Sequence, residues 1–116
     1  MIDASEMSVA DKLRANGIIK PAKLAHIVLR TSQFDRLMDW YKFVFGAEVV
    51  YENGQLAFLT YDDEHHRFAI LGISDLSGQP EGTVGVHHVA FTYHSLRDLM
   101  DTYVRLRDKG IKPIYP

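Results

Sequence analysis

The 116-residue sequence contains no cysteine, which removes disulfides and thiolate metal sites from consideration. That absence is compatible with the cytoplasm, the location expected here. No apolar run approaches the roughly 20 residues that a membrane-spanning helix needs, so no membrane partner is expected. Neither sign of charge dominates. Lys and Arg number 13 against 15 Asp and Glu, a net charge of −2 with the two signs interspersed, and this excludes the basic footprint of a nucleic-acid-binding domain. What is present is ordinary for one globular domain: 47% apolar residues, including 11% aromatics able to anchor a core. The first residues carry Asp3, Glu6 and Asp11 without an apolar stretch, unlike a secretory signal. Residues 1–22 are expected to form an arm, with a short helix over 7–16 ending at Gly17, ahead of a single domain at 23–116.

The chain repeats itself. LAHIVLRTSQFDRLMDWYKFVFGAEVVY and VHHVAFTYHSLRDLMDTYVRLRDKGIKPIY follow one plan: a histidine inside an apolar, β-branched run, a serine, an amphipathic helix, a glycine and another apolar run. His26 and His88 stand 62 residues apart, and Gly46 and Gly110 stand 64 apart. Two landmarks agreeing this closely point to a duplicated unit. In the first copy Phe34, Leu37, Met38, Tyr41, Val44 and Phe45 recur at helical spacing, with Ser32 and Asp35 placed as a capping box and Gly46 as the left-handed stop. In the second, Leu96, Leu99, Met100, Tyr103 and Leu106 form the stripe between Ser95 and Gly110. Between the helices, runs at 47–52 and 56–61 flank Asn53 and Gly54, both able to take positive φ in a hairpin turn. Asp62, Asp63 and Glu64 then lead into a third run at 65–73. The first unit therefore reads β-α-β-β-β, and a glycine-rich linker leads to a second unit opening with a strand at 86–93. After the second helix only IKPIYP follows. Two strands of the second unit are then missing, and the natural chain is expected to continue.

Strand alternation places the histidines. His26, Val28 and Arg30 share one face, while Ala25, Ile27 and Leu29 share the other. His88, Ala90 and Thr92 oppose His87, Val89, Phe91 and Tyr93. With the bulkier set under the helices, His26 and His88 point to the concave side of a curved sheet, where imidazoles suit a divalent transition metal. A single strand histidine is usually a hydrogen-bonded or solvated residue; two at the same point of a repeat favour ligation. His87 and His94 read as structural or solvated. His65 and His66 follow three carboxylates, which by proximity raise a histidine pKa. Alternation puts His66 with Phe68 and Ile70, and His65 with Arg67 and Ala69, without saying which face is the cavity.

These segments together, LAHIVLRT, FGAEVVYENGQLAFLTYDDEHHRFAIL and VHHVAFTYHSLRDL, resemble the vicinal-oxygen-chelate superfamily of glyoxalases, bleomycin-resistance proteins and extradiol dioxygenases. The likeness covers residues 23–116 and is greatest to the extradiol dioxygenase-like branch. It implies an α+β fold of paired βαβββ units forming a curved mixed sheet around a metal cleft, the second unit incomplete. It implies that His26 and His88 are metal ligands, with a glutamate beyond Pro116 as the third, and that His66, second of a histidine pair, is the acid–base residue. Fe(II) is the cofactor implied for such a two-histidine, one-carboxylate face; Mn(II), Ni(II) or Zn(II) would belong to an isomerase or lyase on the same scaffold. Metal-dependent glyoxalases usually carry a glutamate ligand in the slot of Phe58, which disfavours that chemistry. The reading is an Fe(II)-dependent ring-cleaving dioxygenase whose partners are a catechol-like aromatic and dioxygen. A metal-free binding protein is the alternative of another class, with Phe58, Tyr61, Phe68 and Tyr93 lining its cleft. Modules of this family often pair, so a homo-oligomer is compatible with the sequence.

Overall fold

The structure, a computed structural model, describes residues 6–114. A short helix, α1 (Val9–Ala15), precedes β1 (Ile27–Thr31), α2 (Phe34–Phe45), β2 (Glu48–Glu52), β3 (Leu56–Thr60), β4 (Phe68–Gly72) and α3 (Leu96–Asp108). The four strands form one mixed sheet in the order β1-β4-β3-β2. β1 runs parallel to β4, and the other pairs are antiparallel. This is the βαβββ unit the sequence predicts, with strands shorter than the apolar runs. β1 starts at Ile27 and β4 at Phe68, so His26 and His66 both stand just ahead of the regular pleat.

One face of the sheet is covered by α2. Ala57 and Leu59 of β3 and Phe68 and Ile70 of β4 are buried there, with Phe34, Leu37, Met38, Tyr41 and Phe45 of the helix packed against them. The Phe68 ring lies 4.6 Å from Tyr41 and 5.4 Å from Phe45, centroid to centroid. At the end of β4, a Cβ on Gly72 would come within 3.2 Å of the Phe34 Cβ. Glycine there lets the first turn of α2 settle against the sheet.

Local signals were mostly used as read, with two differences. Gly46 takes the left-handed conformation at the end of α2 (φ 63°), and Ser95 accepts from the Asp98 N–H at 3.1 Å to start α3. α2, however, is capped by Gln33 rather than Ser32, without a side-chain cap. β1 extends through Thr31, leaving two residues for the turn, and Thr31 Oγ1 accepts from the Gln33 N–H at 2.9 Å. In the β2–β3 hairpin only Gly54 takes positive φ (90°). Asn53 contributes its side chain instead, its Oδ1 accepting from the N–H groups of Gln55 and Leu56 at 3.0 and 2.8 Å.

The second copy departs furthest from expectation. Residues 86–93 form no strand, and Val86 is 76% exposed. β1 takes its ladder from β4; among the described residues, 86–93 has no equivalent partner, and a strand without a neighbour has nothing to satisfy its peptide groups. Phe91 and Arg105 dock this half. The Phe91 ring sits 4.4 Å from Phe45, and Arg105 of α3 donates to the carbonyls of Phe43 and Val44 at 2.7 and 3.0 Å, capping α2 from outside. The apolar stripe of α3 lies largely uncovered, with no residue buried. The four-stranded sheet is thus unclosed.

Candidate active site

The face of the sheet away from α2 gathers His26, His66 and Phe58. β1 alternates, with Val28 and Arg30 exposed and Ile27 and Leu29 turned inward. In β3, Phe58 lies opposite the buried Ala57 and Leu59, and its ring meets Tyr51, His65 and His66. His66 stacks on Phe58 with ring centroids 4.4 Å apart and planes 16° from parallel. On its other neighbour, the His66 ring lies 4.1 Å from His26. Strict alternation back from Phe68 would have put His66 beneath α2. The pleat begins only at Phe68, so the preceding residues are free to turn, and His66 goes to the open face.

His65 completes a histidine pair, its Nδ1 2.8 Å from the Nδ1 of His66. A contact this short needs one ring nitrogen to donate and the other to accept. Partial burial, then the neighbouring His26 and His65, hold the His66 pKa below the usual imidazole range; Glu64 opposes this weakly. The sequence reading, that the three carboxylates raise the histidine, is corrected for His66. Asp62 is occupied by Arg67, whose guanidinium holds its carboxyl below the ordinary range. Glu64 is likewise depressed by Lys23 at 2.6 Å.

Of the candidate residues, His26 and His66 are brought together. His88 lies in the exposed 86–93 segment, and its ring is paired edge-on with His87, Nδ1 to Nδ1 at 2.8 Å. Among the described residues, no three His, Asp or Glu side chains gather in a way that would hold a metal ion. The four aromatics suggested as a cleft lining also separate. Phe68 is core, Phe58 is on the open face, and Tyr61 and Tyr93 line a cleft of about 510 Å³ on the other side, beside Phe45 and Phe91. Sequence reasoning took Phe58 as a non-ligand or a cleft lining rather than a stacking partner of His66, and it gave Arg67 no role, since no spacing rule singles it out.

Fold and site together define a class: a βαβββ domain with a histidine cluster on its open face. Residues 23–116 match the Glyoxalase/Bleomycin resistance protein/Dioxygenase superfamily, and the chain belongs to that family. Within it, the chain is 48% identical over 95 residues to biphenyl-2,3-diol 1,2-dioxygenase 2 of Rhodococcus globerulus and 52% identical over 97 residues to biphenyl-2,3-diol 1,2-dioxygenase 3 of the same organism. Each alignment covers 81% of this chain and 50% of the relative, so the chain spans about half the length of the curated relatives it matches. The fold is also similar to a possible glyoxalase from Bacillus cereus (TM-score 0.59, 16% identity, 78% of this chain and 76% of that one). A lactoylglutathione lyase from Agrobacterium tumefaciens is comparable (TM-score 0.56, 19% identity, 78% and 72%).

Proposed function

We propose that this chain carries the ring-cleaving site of an extradiol dioxygenase acting on a catechol-like aromatic. The observation that carries the reading is the stack of His66 between His26 and Phe58. Similarity to two enzymes named for biphenyl-2,3-diol supports the choice of substrate class. The donor set fits a metal in kind: His26 and His88 are exposed imidazoles, a ligand type that iron accepts. They would hold Fe(II) with a carboxylate as third donor, although His26 here lies against His66 rather than His88. Bound there, iron would supply open positions for a catecholate and dioxygen.

His66 has the properties of the proton-handling group. Its depressed pKa favours the neutral ring, and a neutral imidazole can accept the proton of a catechol hydroxyl. Phe58 fixes the plane of the ring, and His65 fixes its tautomer through the Nδ1 contact. Phe58 in this position also brings no carboxylate to the site, which fits the extradiol reading better than a glyoxalase one.

The test is anaerobic reconstitution of the full-length natural protein with Fe(II), followed by catechol or biphenyl-2,3-diol and air. Formation of a yellow ring-cleavage product is expected. His66→Ala should retain iron and lose about 10²–10⁴-fold in turnover, the usual contribution of a positioned acid–base group. His26→Ala should lose iron itself. An iron-loaded protein inert toward both diols would overturn the reading.

A further inference from the structure

Arg67 is bonded to the neighbours of every ring in the stack. Its backbone N–H donates to the Leu59 carbonyl at 2.8 Å, next to Phe58, and its carbonyl accepts from the Ile27 N–H at 3.0 Å, next to His26. His66 is its own predecessor. The side chain adds what the ladder does not. Nη1 donates to the carbonyls of Leu24 and Ala25 at 2.6 and 3.0 Å. Nε reaches both Asp62 carboxylate oxygens at 3.1 and 3.0 Å, and Nη2 reaches Oδ2 at 2.8 Å. The peptide group before His26 and the one after it are therefore both held by one residue.

We propose that Arg67 is a positioning residue that sets His26 against His66, an inference that rests on the reading of those two histidines as partners in the ring-cleaving site. The backbone bonds carry the sheet one residue ahead of β4, but Leu24 and Ala25 lie ahead of β1, where the ladder gives no support. Only a guanidinium can grip a carboxylate with one edge and two carbonyls with another; an ammonium is a point charge. The parallel tie from Lys23 to Glu64 has a lysine side chain 59% exposed, and exposed pairs hold geometry weakly.

The test uses the full-length natural protein with labelled histidine. In the metal-free protein, an NMR cross-peak between the ring protons of His26 and His66 reports their contact. Anaerobic titration then gives the Fe(II) dissociation constant. Arg67→Gln should remove the cross-peak and weaken Fe(II) binding by about 10–100-fold, as loss of outer-shell support does. Its far-UV circular dichroism and cooperative melting should persist, because the backbone bonds remain. Arg67→Lys should fail to restore the contact, and Lys23→Gln should keep it. An intact cross-peak with unchanged Fe(II) affinity in Arg67→Gln would overturn the proposal. Should that variant not fold, Asp62→Asn decides: a weakened cross-peak supports the role and an unchanged one refutes it. A wild-type protein that binds no Fe(II) would end the ring-cleavage reading, whereas the cross-peak would still decide the part played by Arg67.

Discussion

At the scale of single residues, the turn at 62–67 divides its charges. Asp62 and Glu64 are committed to Arg67 and Lys23, which leaves His66 governed first by its partial burial and then by His26 and His65. Both carboxyl groups have folded pKa values below their ordinary ones. Such groups contribute stability above the unfolded pKa, near 4 for a carboxylate, and that contribution is lost as pH falls through the depressed folded value. Wild-type protein should therefore lose more stability between pH 5 and pH 2 than Asp62→Asn does. Urea midpoints across that range check this, and parallel curves for the two proteins would contradict it. The Asp62 carboxylate is exposed, so salt should shrink the difference.

Among the elements, β4 has the central place. It pairs with β1 on one side and β3 on the other, and Phe68 near its start is 1% exposed, surrounded by Tyr41, Phe45, Tyr61 and Phe91. Phe68→Ala should cost about 3–5 kcal/mol, the range for emptying an aromatic site in a packed core. Chemical denaturation should show the loss. Phe58→Ala, on the open face, should cost less, because its ring meets the histidines and Tyr51 rather than α2. The neighbourhood of β4 shows how far periodicity reached. Alternation grouped Phe68 with Ile70, as a regular pleat requires, and the structure buries both. It also grouped His66 with them, without saying which face is the cavity, and there the grouping fails because the pleat does not extend two residues ahead of β4.

Over the whole molecule, order follows hydrogen bonding rather than sequence repetition. The first copy holds the sheet and the buried core, while 86–93 has no ladder among the described residues and α3 buries none of its residues. Amide exchange should rank accordingly. The amides of β3 and β4 are expected to exchange slowest, and those of 84–94 within the fastest class, since exposed peptide groups open at little cost. Protection of 86–93 comparable to β1 would mean that this segment gains a strand partner in solution.

The sequence by itself determined the order of elements in the first unit, the left-handed stop at Gly46, the Ser95 start of α3 and the family. Each depends on neighbouring residues or on spacing, which are present in the chain before it folds. The tertiary structure decided that Phe58 and His66 share a face, that the carboxylates are taken by Arg67 and Lys23, and that Arg67 grips the peptide groups ahead of His26. The last of these contacts joins residues 42 and 43 positions apart through a turn outside any regular pleat. No periodicity relates such positions, so only folding brings them together.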